Sequence, residues 1–527
     1  MKPSFSPRAK SNLSVQAIWV GALSAPLWMF AFGMGEQIVC LLAAGVGTIL
    51  SARWFLKVLG CPVEFIHLLP LSAVSLVVVM NFGFLLSWTM SSIGLNRDFV
   101  ESFNALGVTY SSYAGAVFFT VLFATSLAAL GQFPMLRRLE AQLIEKLIML
   151  NRTPTNVLLG VLFVTIGIDV LALVTGVIGF RSVGLEGYQE GKIAWFLPFL
   201  HALVYFQMPL NAQLLTRVRS REKGANLAIV GTMVISIPVV FYMSFTSGRT
   251  AVVFCVAMHF IYWCLFRGRR PNLRVSMVLG VAFLVIVPQI LALNNFMREQ
   301  KNTSTSKFAN EGGIEAVFAM TEAYQENKSA RSAEKVRTMD NLSRRPLVAT
   351  PLAKCIAMDG RVKSFMLGMN LRSSFIWVIP RVIYPDKVQT SAMEGLLYRY
   401  FPDRDFLKDV SDSVYMYSYT DFGWLGIIVY PLLIAGLWCA SLLILSVLNS
   451  PVFSWYVFAN WPVVFMLGIG EGGLIGWFST FRDTLMYGII FFFIEMMLRS
   501  CGIKAFAPVH PSKVGVKSRR RVAWSAR

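Results

Sequence analysis

Long apolar runs constrain this chain more than any other feature. About twelve of them recur, at approximately 14–34, 37–52, 64–90, 112–132, 155–180, 193–214, 225–246, 250–266, 275–294, 423–448, 452–470 and 483–499. Most are long enough to cross a hydrocarbon core of about 30 Å. A segment in lipid must satisfy its own backbone N–H and C=O groups, which leaves helices or a closed barrel. Runs this continuous make helices. Composition agrees, at 56% hydrophobic and 14% charged with mean hydropathy +0.60, whereas soluble domains carry roughly 25% charged residues. The expected fold is an all-α polytopic membrane protein with about twelve transmembrane helices and one large external loop.

Four regions follow. Residues 1–294 read as a transmembrane bundle of nine helices, 295–422 as the loop, 423–500 as three further spans and 501–527 as a basic tail. The N-terminal residues carry Lys2, Arg8 and Lys10, followed by a long apolar run without a small-residue cleavage site, so the first helix reads as uncleaved. Placing the N-terminus inside puts 25 of the 48 Lys and Arg residues on inner segments, 5 on short outer loops and 18 in the large loop. Short loops decide orientation, so both termini are expected inside and the large loop outside.

The net charge of +20 therefore has a simple main source. Basic runs at 217–223, 267–270 and 517–521 are anchors suited to anionic membrane lipid, and no aromatic-interleaved soluble domain accompanies them to suggest nucleic acid. Of the seven cysteines only Cys355 falls in the loop, no C-x-x-C occurs, and His67, His201, His259 and His510 lie far apart. No metal or cofactor is expected.

Ionisable residues at membrane depth are expensive and so draw attention. Asp169 and His201 are the clearest, with His259 and Glu495 behind them; hydrogen bonding within the bundle is the plainer role. The outer helix ends are richer. Arg249 occupies a very tight turn at Thr246–Thr250, Arg298 follows the ninth span, Arg372, Arg381 and Lys387 lie in the loop, and Arg482 precedes the last span. Guanidinium groups at that depth meet lipid phosphate, or hold a diphosphate at the same level. Asp403 and Asp405 form a D-x-D pair on the outer side and read as a solvated turn. The glycines around Gly468 lack a βαβ context and do not make a nucleotide site.

Three pieces in order carry a resemblance. The Ser247-Gly248-Arg249-Thr250-Ala251 turn opens a helix, the loop contains Ile379 to Lys387 (Ile-Pro-Arg-Val-Ile-Tyr-Pro-Asp-Lys), and Asp421 to Gly426 (Asp-Phe-Gly-Trp-Leu-Gly) enters the next helix. Together, over roughly residues 240–270 and 365–430, they resemble the Wzy-type oligosaccharide repeat-unit polymerases of O-antigen and exopolysaccharide synthesis; elsewhere only helix count and hydropathy agree. The resemblance implies a GT-C-like glycosyltransferase in the bacterial inner membrane with a periplasmic loop. Its donor would be an oligosaccharide on undecaprenyl diphosphate, and a flippase and a chain-length co-polymerase would be its partners.

That chemistry needs fixed cations where the leaving diphosphate gathers charge and a carboxylate within reach of the acceptor hydroxyl. Arg249, Arg372 and Arg381 are the expected diphosphate ligands, with Lys387, Arg298 and Arg482 beside them. Asp421, Glu394 and Glu471 are the expected alternatives for the base, and Tyr384 is a sugar-facing aromatic or an interface residue. Two other classes stay open. An O-antigen ligase is expected to use a histidine in the loop, and this loop has none. A membrane acyltransferase would have to use His201 or His259. Transport is disfavoured, because pore-lining charges and a two-fold hydropathy repeat are both lacking.

Overall fold

The computed structural model describes residues 7–61, 67–93, 107–151, 153–174, 197–218, 223–247, 249–267, 289–290, 292–297, 313–327, 332, 349–358, 365–379, 384, 413–448, 450–463 and 474–500. Among them the chain is helical and has no strand. In chain order the helices are α1 (Pro7–Met34), α2 (Gln37–Leu59), α3 (Leu68–Ser92), α4 (Tyr110–Leu130), α5 (Pro134–Asn151), α6 (Thr155–Val174), α7 (Leu197–Arg217), α8 (Lys223–Ser247) and α9 (Arg249–Arg267). After them come α10 (Gly313–Glu326), α11 (Thr350–Ala357), α12 (Met369–Val378), α13 (Val414–Phe422), α14 (Gly426–Leu448), α15 (Pro451–Val463) and α16 (Leu474–Ser500).

Six helical spans are long and apolar enough to cross a membrane: Leu13–Met34, Gln37–Leu59, Leu68–Ser92, Tyr110–Leu130, Thr155–Ala172 and Val414–Leu448. Asn226–Tyr242 and Cys255–Arg267 are shorter apolar helices. The protein is thus a multi-pass α-helical membrane protein. Most of the expected run at 275–294 falls outside the described residues.

Helices α1 to α4 pack on one another around small contact points. Gly47 of α2 lies against the Asn81 side chain of α3, where a Cβ would collide with the amide. That close approach lets Asn81 accept from Trp28 Nε1 at 2.9 Å while its own amide returns to the Val77 carbonyl at 2.7 Å. Thr109 and Ser112 form a reciprocal capping box that opens α4, satisfying amides that the first turn otherwise leaves without partners. The opposite faces of α1 and α2 expose Trp19, Phe30, Ile38, Leu42 and Ile49, as lipid-facing surfaces do.

A second group, α6 to α9, packs around α7. The C-terminal helices join the two groups: α14 lies on α4 and α5, and α15 lies on α5, α7 and α16. Trp438, Trp461 and Trp477 are fully buried along this seam, with ring centroids 5.0 Å and 6.2 Å apart.

Hydrogen bonds between helix ends define two faces of the bundle. Trp54 to the Leu13 carbonyl, Lys57 to Gln16, His67 to Glu140, and Arg217 to Thr153 and Thr155 tie ends on one face. Ser450 and Glu495 are bonded on that face too. Ser111 to the Phe32 carbonyl ties ends on the other.

Candidate functional site

Residues 365–378 and 413–426 belong to the chain's large polar segment and its exit, and they lock together. Two backbone bonds start the lock, from Met366 N to the Thr420 carbonyl and from Leu367 N to the Asp421 carbonyl, each 3.0 Å. Leu367 takes a left-handed conformation (φ +48°) and is 80% exposed, and Gly368 follows at φ +86°. Gly368 then precedes α12 as its cap residue and has no side chain to cap it.

Asp421 does that job from a distance. Its Oδ1 accepts from Asn370 N at 3.1 Å and its Oδ2 from Leu371 N at 3.2 Å. These are first-turn amides of α12, where the helix dipole favours an anion. The Tyr430 hydroxyl donates to Oδ2 at 2.6 Å, and Asn370 Nδ2 donates to Thr420 Oγ1 at 2.9 Å. Asp421 is fully buried.

The other end of α12 is held by the opposite charge. Arg482 Nη1 donates to the Val378 carbonyl at 3.1 Å, while Nε donates to Asp483 Oδ1 at 2.8 Å. A carboxylate at the N-terminus and a guanidinium at the C-terminus both complement the dipole. Phe375 packs edge-on against Phe478 of α16, with centroids 5.6 Å apart. So braced, α12 exposes Met369, Arg372 and Phe375 at helical spacing. The Arg372 side chain makes no hydrogen bond or ion pair among the described residues. Among the described residues it is an exposed cation between exposed apolar side chains.

The turn at Gly423 completes the unit. Its φ of +57° separates α13 from α14, and a Cβ there would meet the Phe365 ring at 2.6 Å. Taken as one helix, the 35 residues of Val414–Leu448 would run about 50 Å. The break leaves α14, with 23 residues and about 34 Å, to match the hydrocarbon core. Helix α13 is buried throughout most of its length, and Tyr419 packs against Phe119, Phe365 and Trp424. Helix α11 lies against α4 and α13. There, burial raises the thiol pKa of the fully buried Cys355.

Of the residues expected from sequence, Asp421, Arg482 and Arg372 are brought to one unit. Arg249 is the first residue of α9, separated from the end of α8 by a single residue; its side chain is not among those described. Tyr384 is 45% exposed. Arg298, Arg381, Lys387, Glu394 and Glu471 lie outside the described residues. The base role expected for Asp421 does not fit its surroundings, since its oxygens already accept from two amides and a phenol. Asp421 and Arg482 position α12.

Sequence reasoning overlooked Glu140. It is buried, accepts from His67 Nδ1 at 2.6 Å and Trp438 Nε1 at 2.8 Å, and lies 3.4 Å from Leu68 N at the start of α3. Its signal was present: Leu136, Leu139, Leu143 and Ile144 put position 140 on the apolar face of an amphipathic helix. His259 is a satisfied core histidine, its Nδ1 donating to the Cys255 carbonyl at 2.7 Å and its Nε2 facing Asn211 at 3.4 Å. The His201 side chain is not among those described. Among the described residues no three His, Cys, Asp or Glu side chains gather as metal ligands. No family model matches the chain, and no curated protein or solved structure matches it either.

Proposed function

We propose that this protein is a glycosyltransferase of the bacterial inner membrane that polymerises oligosaccharide repeat units carried on undecaprenyl diphosphate. Both termini lie in the cytoplasm, and the segment holding α11 to α13 works at the periplasmic face. The observation that carries this reading is α12, a short helix braced at both ends by opposite charges and offering Arg372 between apolar side chains. A rigid cation at the head-group level suits a lipid-linked diphosphate, whose negative charge grows as the sugar C1–O bond breaks. Arg249, Arg381, Lys387 and Arg298 are the further cations for that charge. With Asp421 committed to α12, activation of the acceptor hydroxyl falls to Glu394 or Glu471. The satisfied hydrogen bonds of His259 weigh against an acyltransferase built on that residue.

Arg372→Ala and Arg249→Ala, made separately in the host and checked for normal membrane abundance, test the reading on a gel of surface polysaccharide. Each is expected to cut chain extension by about 100-fold or more, leaving single repeat units attached to their acceptor. Loss of every attached unit would point instead to ligation or flipping. An unchanged ladder in both variants would remove the proposal.

A further inference from the structure

Away from the α12 unit, the interior of the second helix group holds a polar core centred on α7. Gln207 and Asn211, one turn apart, reach α6, α8 and α9. Gln207 meets Asp169 of α6, Asn211 accepts from Ser236 Oγ of α8 at 2.9 Å, and Asn211 faces His259 of α9. Asn211, Ser236 and His259 satisfy one another. The Asp169–Gln207 pair does not.

Asp169 and Gln207 are both fully buried. A single hydrogen bond joins them, 2.6 Å from the Gln207 amide to Asp169 Oδ2. Asp169 Oδ1 and Gln207 Oε1 have no hydrogen-bond partner among the described residues. Asp169 forms no ion pair among the described residues. An ionised carboxylate so placed would be an uncompensated charge in lipid. The separation is short for N–H···O and ordinary for O–H···O, and the oxygen and nitrogen of a glutamine amide exchange places on a half-turn of the group.

We propose that Asp169 and Gln207 form an intramembrane proton-binding site, in which the Asp169 carboxyl holds a proton and donates it to the Gln207 side-chain oxygen. One proton then removes the charge and converts the short contact into a normal O–H···O bond. The carboxyl's other oxygen becomes a neutral carbonyl, which tolerates burial better than a carboxylate oxygen. The helices packed on α6 are α7, α8 and α10. Their described titratable groups are Tyr205, Arg217, Tyr242, Glu322, Tyr324 and Glu326. Arg217 is held at the bundle face by the Thr153 carbonyl and Thr155 hydroxyl, and none of the six bonds to Asp169. The ligand is therefore a proton, with no resident counter-ion competing for the carboxyl among the described residues.

Dicyclohexylcarbodiimide, an apolar reagent that modifies protonated carboxyls, tests this on the full chain in lipid nanodiscs. Peptide mass spectrometry is expected to find the adduct at Asp169 near neutral pH, with its yield falling as pH rises. Infrared spectra are expected to show a protonated-carboxyl band that Asp169→Asn removes and Gln207→Leu shifts; the second variant carries the test if the first does not accumulate. A carboxylate band assigned to Asp169 near neutral pH overturns the proposal. Protection of Asp169 from the reagent by sodium ions at constant pH overturns it too, by making the ligand an alkali cation.

Discussion

Asp421 occupies the position where a base for the acceptor hydroxyl was expected, yet it accepts two amide hydrogens and the Tyr430 hydroxyl. Residue type was readable in the sequence; the two amide partners were not, because they lie 51 and 50 positions upstream. Charged hydrogen bonds of this kind contribute about 1.5–3 kcal/mol each, and loss of one partner strands the rest. Asp421→Ala should therefore destabilise the protein by about 3 kcal/mol, whereas Asp421→Asn, which keeps one acceptor oxygen, should lose less. Thermal unfolding of the purified variants in detergent measures both. Equal stability of Asp421→Ala and the parent chain would sink the capping assignment. Glu140 was legible in principle, since helical spacing alone places it on a buried face.

At the scale of elements, hydropathy located the six helical spans that are long and apolar enough to cross a membrane, because lipid imposes one rule on every residue of a span. The runs at 112–132 and 225–246 differ from α4 and α8 by a few residues at each end. Short elements outside the spans were less legible. Helices α11 and α12, with 8 and 10 residues, draw their stability from tertiary contacts instead of propensity, and those contacts come from distant parts of the chain. Arg482 supplies one of them. Arg482→Ala should speed amide hydrogen exchange at Ile376 to Ile379 by roughly tenfold, corresponding to about 1.4 kcal/mol for a lost charged contact. Exchange in α1 to α4 should stay unchanged. Uniform loss of protection across the bundle would show that Arg482 holds more than the end of α12.

For the whole molecule, the basic-residue count predicts a sidedness, with both termini inside and the large polar segment outside. Leu367 and Arg138 are exposed residues on opposite faces in that scheme. In intact cells a membrane-impermeant thiol reagent should label Leu367→Cys and leave Arg138→Cys unlabelled until the membrane is opened. The buried Cys355, with its raised pKa, adds little background. Reversed labelling would invert the topology and overturn the proposed periplasmic placement of α12.

The brace on α12 also dictates an order of manufacture. Val378 leaves the ribosome 104 residues before Arg482, and Asn370 leaves 51 residues before Asp421. The helix that bears Arg372 must therefore wait, unfastened, while α13 to α16 are synthesised and inserted. Its final shape depends on α16, so a chain cut short before that helix would lack the contact that closes the end of α12. Closure of the α12 brace thereby waits on the synthesis of α16.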